Sequence, residues 1–274
     1  MTMEALQRIL GTKTPVVGMI HFGPLLGYTK AYDAQQVLDS ALADLQALVD
    51  GGADAIMVEN NYDTPHHIFV GPETVACMTY LTSEIRKHTT LPLGISVLWN
   101  DYRAALAIAK VCNATFVRVP VFVDTVRTNY GEVTGNPEEV LACRSLMDAE
   151  DVLLFTDVHV KHAELLSHTT LHEAAAEAKR QGSDGIIITG KWTGDAPNLD
   201  DLREAREAVG DFPILVGSGA TAENVQSLRK YVDGVIVSTS IKSGEVVASE
   251  INLKRPAQRV DVQKVRAFMQ AFNA

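Results

Sequence analysis

The 274-residue sequence lacks several features that would assign it to a broad class. Its three cysteines (Cys77, Cys112 and Cys143) form no CxxC pair, so the sequence indicates no disulfide framework. No apolar run approaches the roughly 20 residues that cross a bilayer, and the first residues, MTMEALQRIL, do not resemble a signal peptide. We therefore expect a cytoplasmic protein with reduced thiols and no stable membrane insertion.

Positive charge is also scarce. Lys and Arg number 24 against 34 Asp and Glu, which gives a formal net charge of −10. Binding to nucleic acid or to an anionic membrane surface needs basic patches, so this balance argues against both kinds of partner. A local site for a small anion remains compatible with it.

A weak repeat organises the chain. Segments 51–60, 181–190 and 230–239 each leave a helical pattern, pass an Asp and enter an apolar run. Eight apolar runs begin near residues 15, 54, 92, 115, 152, 185, 213 and 234, and helical patterns separate them. Apolar runs of this kind are typical of parallel strands covered on both faces. The sequence predicts a single (β/α)₈ barrel over residues 1–274.

A doubly wound open sheet is the alternative architecture. It would place a glycine-rich G-x-G-x-x-G turn after the first strand. The first strand here ends in GMIHFGPLLG, and the glycine-rich turn VGSGAT instead follows the seventh strand. This position favours the barrel.

The turns after the seventh and eighth predicted strands are typical of a phosphate site, which many barrels place there. Glycine lets a backbone approach an anion closely, and N–H groups at the start of a helix attract it. The alternative is a glycine-hinged turn followed by a helix capped by Thr221. We predict phosphate contacts from Gly217, Ser218, Gly219, Ser238, Thr239, Ser240 and Lys242.

The fifth strand ends in TDVHVKH, where Asp157, His159 and Lys161 alternate. They would share one side if the strand stayed extended, and such a group suits acid–base chemistry. Lys161 would also form a Schiff base if desolvated; Lys191 is a second candidate, or a solvated loop lysine.

His21 and Glu59 end the first two strands and complete the predicted catalytic set. We expect no cofactor, because no compact metal motif such as H-E-x-x-H occurs. A divalent metal on His21, Glu59, Asp157 and His159 is the fallback. Arg118, in the fourth strand, pairs either with a substrate anion or with Glu59 or Asp157.

Two long connections stand out. Residues 120–135 predict a lid over the substrate, with a partner-subunit contact as the alternative, and residues 243–259 precede the last helix. His66 and His67, after the second strand, are interpreted as ordinary polar loop residues.

Seven segments in this order resemble the BtpA-like family, also named after SgcQ: GMIHFGPLLG, GGADAIMVENNYDTP, ISVLWNDYRAALAIA, TDVHVKHA, IIITGKWTG, VGSGATAENV and VDGVIVSTSIK. The resemblance covers nearly the whole chain and implies a phosphate-site barrel. One branch of the family is linked to photosystem I biogenesis, and another lies among sugar-uptake and sugar-phosphate genes. The matching positions imply that Asn60, Asn100, Arg118, Thr189 and Gly190 contact the substrate.

The chain departs from the family pattern at several positions. Trp99 stands where the family usually has arginine, and Pro120 where it tends to have asparagine. Asn129-Tyr130-Gly131 replaces a sequence like Asp-Gln-Gly, and 248–259 is longer than usual. These differences predict that the lid recognises a different substrate.

We expect an enzyme acting on a small phosphorylated sugar-like metabolite: an isomerase, an epimerase or an aldolase-type lyase. Asp157 or Glu59 would remove a proton beside a carbonyl that Lys161 polarises or converts to an imine. The alternatives are a non-catalytic assembly factor and a phosphometabolite-binding sensor. Barrels of this kind often self-associate, so a homo-oligomer is expected.

Overall fold

A computed structural model of the chain describes residues 6–7, 10–244 and 258–274. In chain order the strands are β1 (Val16–His21), β2 (Ala55–Glu59), β3 (Leu93–Ser96), β4 (Phe116–Val119), β5 (Thr125–Thr128), β6 (Gly131–Thr134), β7 (Leu153–Val158), β8 (Ala163–Leu165), β9 (Gly185–Ile188), β10 (Ile214–Val216) and β11 (Gly234–Val237). The helices are α1 (Ala34–Gly51), α2 (Pro72–Lys87), α3 (Tyr102–Val111), α4 (Pro137–Leu146), α5 (Leu171–Arg180), α6 (Leu199–Val209), α7 (Val225–Leu228) and α8 (Val262–Asn273).

Eight of these strands close into a parallel barrel, in the order β1-β11-β10-β9-β7-β4-β3-β2. Each begins within one residue of a predicted apolar run. The prediction of a (β/α)₈ barrel is therefore confirmed. The helix after β10, α7, is short, with four residues.

The repeated aspartates hold neighbouring strands together at the start of the barrel. Asp54 accepts the N–H of Val16, and Asp233 accepts that of Ile214, both at 2.9 Å. Asp184 accepts the N–H of Leu154 at the same distance. In each case the carboxylate precedes one strand and bonds the adjacent strand, so the internal repeat marks a structural clamp.

The lower interior of the barrel is apolar. Phe116 and Phe155 meet edge to face at 5.5 Å, and Leu6 and Leu10 belong to the same buried cluster. Gly94 makes room for this packing, because a Cβ there would lie 2.0 Å from the Phe116 ring. Large rings on some strands therefore require small residues on the next.

A separate three-stranded antiparallel sheet, β6-β5-β8, follows the barrel strands β4 and β7. It packs on its own apolar cluster, which includes Trp99 and Val160. The predicted lid over 120–135 thus contains a β-hairpin rather than an irregular loop. Of the second predicted excursion, residues 245–257 lie outside the described residues, and with them most of the segment 248–259.

Candidate active site at the carboxyl end of the barrel

The candidate site begins where the apolar interior of the barrel gives way to ionisable side chains. Side chains that point inward recur at every second strand residue. On β4, Phe116 is therefore followed by Arg118, and on β7, Phe155 is followed by Asp157. The same step gives His21 and Glu59 inward-pointing side chains at the carboxyl ends of β1 and β2, so four predicted site residues converge inside the barrel.

Arg118 and Asp157 form a bidentate ion pair that is sealed from solvent. Arg118 Nε and Nη2 donate to the two Asp157 carboxylate oxygens at 2.8 and 2.7 Å, and Asp157 is 1% exposed. Burial alone would lower the pKa of Arg118, but Asp157 and Glu59 outweigh it and raise the pKa above its ordinary value. Of the two partners that the sequence allows for Arg118, a substrate anion or a carboxylate inside the barrel, the structure shows the carboxylate.

Glu59 occupies the centre of the site. Ser96 Oγ donates to Glu59 Oε2 at 2.9 Å, and Arg118 Nη1 lies 3.6 Å from the same oxygen. His21 Nε2 lies 3.5 Å from Glu59 Oε1. Glu59, His21 and Arg118 all line the cavity at the barrel mouth, whereas Asp157 is absent from its lining.

Lys161 reaches the same cavity, but His159 does not. The alternation predicted beyond Asp157 is wrong, because His159 turns into the left-handed region at φ 52° and β7 ends at Val158. His159 instead lines a neighbouring cavity beside Trp192. Burial and the positive charge of Arg118 lower the pKa of Lys161 to about 8.

Lys242 is buried behind His21 rather than facing the cavity. It is 2% exposed, and its Nζ lies 3.2 Å from His21 Nδ1. Burial lowers the pKa of Lys242 to about 8, against an opposing effect of Asp44. Its predicted contact with a phosphate has no support in this placement, and its position suits it to orienting His21.

The fallback metal set is split between two cavities, since His159 points away and Asp157 is engaged by Arg118. In the part of the chain that the structure describes, no three His, Cys, Asp or Glu side chains form a group that could hold a metal ion. These residues therefore do not come together as a ligand set.

The glycines of the Gly-Ser-Gly turn are required by protein packing. A Cβ at Gly219 would lie 2.1 Å from the Ala196 nitrogen, and Gly219 has φ +67°. A Cβ at Gly217 would lie 2.5 Å from Ile187 Cγ2. The turn therefore packs tightly against β9 and its following loop whatever binds in the cavity.

The two turns nevertheless carry unused hydrogen-bond donors on residues that line the cavity. Among the described residues, no hydrogen bond uses the backbone N–H of Gly219, Ala220, Thr239 or Ser240. All four residues line the cavity together with Ser238, whose buried hydroxyl has no partner in the same residues. The hydroxyl of Ser240 is engaged, since it donates to Ala220 O at 2.7 Å and joins the two turns.

The remaining predicted contacts are structural in this geometry. Asn60 bonds both backbone groups of Leu98, and Asn100 bonds both of Val121, so each amide fixes the loop that follows the next strand. The Thr189 hydroxyl accepts the Lys161 N–H at 3.0 Å. These residues, together with Gly190, are absent from the lining of the cavity at the barrel mouth. The Ser218 hydroxyl accepts the Gly190 N–H and donates to Asp195 O, both at 2.8 Å.

Sequence reasoning missed two residues of the site. Ser96 lies two residues after Gly94 on β3, so its side chain points into the barrel like that of Glu59. This spacing is the signal that could have found it. His66 was interpreted as an ordinary loop residue, which is wrong: it is buried, lines the cavity and contacts Tyr130 edge to face at 5.1 Å. Only the folded loops bring these two rings together.

A closed eight-stranded parallel barrel with its polar groups at the carboxyl ends of the strands defines a TIM-barrel protein. Its fold is similar to that of N-(5'-phosphoribosyl)anthranilate isomerase from Pyrococcus furiosus, with TM-score 0.53, 16% identity and 94% and 98% of the two chains covered. At this identity the likeness concerns the fold alone. In the described residues, no helix is long and apolar enough to span a membrane.

The chain belongs to the BtpA family, whose model matches residues 12–274. An uncharacterised protein of Archaeoglobus fulgidus is 41% identical over 235 residues, which cover 86% of this chain and 94% of the relative. The photosystem I biogenesis protein BtpA of Synechocystis is 36% identical over 264 residues, with 95% and 88% covered. The family resemblance stated from the sequence is thereby confirmed.

Proposed function

We propose that this protein is an enzyme that binds a small phosphorylated sugar-like metabolite at the barrel mouth and moves a proton beside its carbonyl. The phosphate lies on the turns after β10 and β11, and the reacting carbon lies above Glu59. Such a site serves an isomerase, an epimerase or an aldolase-type lyase.

One observation carries this proposal: four residues whose backbone N–H groups are unused, together with Ser238 and its unpartnered hydroxyl, line the same cavity as the charged layer. A phosphate brings several strong acceptor oxygens, so it satisfies such a set of donors together. A neutral ligand with one or two acceptors would leave some of the donors unused.

Glu59 is the better candidate base of the two carboxylates. Both oxygens of Asp157 are bonded by Arg118, and Asp157 is absent from the cavity lining. Glu59 reaches the cavity and is held by Ser96. In this arrangement Asp157 is a positioning residue that fixes Arg118, and Arg118 supplies positive charge to the negative charge that develops on a substrate oxygen.

Lys161 is suited to activate the carbonyl group of the substrate. With a pKa of about 8, part of its amine is neutral near pH 7, as a nucleophilic lysine requires. Attack of the neutral amine on a carbonyl carbon and loss of water would give an imine; in its protonated form the lysine donates a hydrogen bond to the carbonyl oxygen instead. Borohydride, which reduces an imine to a stable amine, distinguishes these two roles.

The phosphate site is tested by the effect of Ser238→Ala on the binding of inorganic phosphate and ribose 5-phosphate. A ligand that binds the native state raises the melting temperature by mass action. We expect both ligands to raise the melting temperature, and Ser238→Ala to weaken both by about tenfold or more, as the loss of a hydrogen bond to a charged group does. Ser227→Ala, on the exposed face of α7, is the matched control. Equal binding by both variants would contradict the assignment.

The chemistry is tested separately with Glu59→Gln. The glutamine keeps an acceptor for Ser96 but cannot take a proton. We expect it to bind the sugar phosphate that gives the largest thermal shift, and to lose the exchange of a substrate C–H with deuterium from D₂O. Exchange at the wild-type rate would remove Glu59 from the role of base.

A non-catalytic role is the second candidate, favoured by the name of the Synechocystis relative, a photosystem I biogenesis protein. It predicts tight binding of a phosphorylated ligand with neither proton exchange nor turnover. The same two experiments therefore decide between enzyme and binding protein.

A further inference from the structure

Three rings from three different loops form an aromatic wall on one side of the cavity: His66, Trp99 and Tyr130. The loops are tied together, because the Trp99 N–H donates to His67 O at 2.8 Å and the Asn100 N–H donates to Ile68 O at 3.1 Å. Tyr130 then covers His66 from the β5–β6 hairpin. The wall is thus a built surface rather than a chance contact.

The wall lies across the barrel from the donor turns. Trp99 follows β3, and Tyr130 lies in the connection that follows β4. In the order of the closed barrel, β3 stands four places from β10, and β4 stands four places from β11. In an eight-stranded barrel four places is half the circumference, so donors and rings face each other across the mouth.

His66 gives this wall a polar handle. Its Nδ1 is buried and has no hydrogen-bond partner among the described residues. Burial, with a smaller effect of His67, lowers the pKa of His66 to about 4, so its ring is neutral near pH 7. A neutral imidazole nitrogen either donates or accepts one hydrogen bond, depending on the tautomer. An unsatisfied buried nitrogen is costly, so a ligand atom that bonds it would gain affinity.

We propose that the substrate carries a planar heteroaromatic ring at the end remote from its phosphate, stacked on the aromatic wall and hydrogen-bonded to His66 Nδ1. This inference rests on the proposed function and narrows its substrate class from sugar phosphates in general to ring-bearing sugar phosphates. The charged layer of His21, Glu59 and Arg118 lines the same cavity as the donor turns and the aromatic wall. The sugar that joins ring and phosphate would therefore lie over the groups that move protons.

The test compares ligands that differ only in the ring. Isothermal titration measures the affinity of ribose 5-phosphate and of purine and pyrimidine 5′-nucleoside monophosphates. Stacking of a base on an aromatic side chain supports an affinity gain of about tenfold or more for at least one monophosphate. If ribose 5-phosphate binds and none of the monophosphates binds more tightly than it does, the proposed stacking of a substrate ring is contradicted while the phosphate site stands. If neither class binds, the phosphate site itself fails.

Variants of the wall locate the ring. His66→Phe keeps an aromatic face against Tyr130 but removes Nδ1, and Tyr130→Leu keeps apolar bulk but removes the ring. We expect each to weaken the monophosphate and to leave ribose 5-phosphate within twofold. His67→Phe, one residue away and exposed, is the matched control. Loss of affinity for both ligands in equal proportion, or for neither, would overturn the stacked ring.

Discussion

The lower and upper layers of the barrel interior come from the same strands and the same alternation of side chains, but the lower layer is apolar and the upper layer is charged. The lower layer joins Phe116, Phe155 and Met57 in one apolar cluster. Two residues further along the same strands, the upper layer joins Arg118, Asp157 and Glu59. Both layers are nearly sealed from solvent.

The difference shows where this barrel gains stability and where it holds charge. Apolar burial stabilises the lower layer in proportion to the area removed from water. In the upper layer desolvation of the charges works against their mutual attraction, so a buried ion pair is weak as a source of stability. The upper layer therefore holds charges in fixed positions beside the cavity and adds little stability.

The largest expected effect comes from removing the cation of the upper layer. Arg118→Met leaves Glu59 and Asp157 buried without their positive partner. We expect a loss of about 3–5 kcal/mol in the free energy of unfolding, measured by urea denaturation at pH 7.

The double variant Arg118→Met/Asp157→Leu is the control. It replaces the pair with apolar side chains of similar size, so most of the lost stability should return. Exchange of the substrate C–H with deuterium should not return with it, because the positive charge proposed to stabilise the substrate oxygen is still missing. A double variant as unstable as Arg118→Met would show that the pair itself, not an uncompensated charge, stabilises the fold.

The lower layer predicts a smaller, purely steric effect. In Gly94→Ala the new methyl would lie 2.0 Å from the Phe116 ring, so the ring must move. Overpacking of this kind costs about 1–3 kcal/mol, and Phe116→Leu in the same chain should recover part of it. Gly23→Ala is the control, because its Cβ would meet only Val37, at 3.7 Å. Equal stability of Gly94→Ala and Gly23→Ala in urea would contradict the packing argument.

The same contrast explains what the sequence could predict. The strands follow from apolar runs and from the Asp that precedes several of them, since both signals are local in the chain. The upper layer follows from the predicted strand positions, since His21, Glu59, Arg118 and Asp157 all lie in or at the carboxyl ends of predicted strands that meet in one barrel. These predictions hold wherever the chain stays extended inside a strand.

The step of two stops being informative where a strand ends. His159 leaves the pattern because its backbone turns to φ 52°, and no side-chain pattern signals that turn. His66 enters the site through a loop that hydrogen bonds from Trp99 and Asn100 fix from the next connection. The family resemblance implies that Asn60 and Asn100 contact the substrate, but their side-chain amides are hydrogen-bonded to loop backbone instead. Loop contacts between distant segments decide all of these cases.

The smallest expected effect is a pH dependence at the edge of the upper layer. Burial and Arg118 lower the pKa of Lys161 to about 8, while Glu59 and Asp157 oppose the shift. The folded state therefore holds fewer protons than the unfolded chain between pH 8 and 10.5, the ordinary pKa of a lysine, so the stability contribution of this group rises with pH in that window. Acetylation of the Lys161 amine, followed by mass spectrometry, should rise with pH and level off above about 8.

In Glu59→Gln the midpoint of this acetylation curve should move to lower pH, because a negative charge that favours the protonated amine is gone. A midpoint near 10.5 in both proteins would mean that the upper layer does not act on Lys161, and would leave the imine role without support.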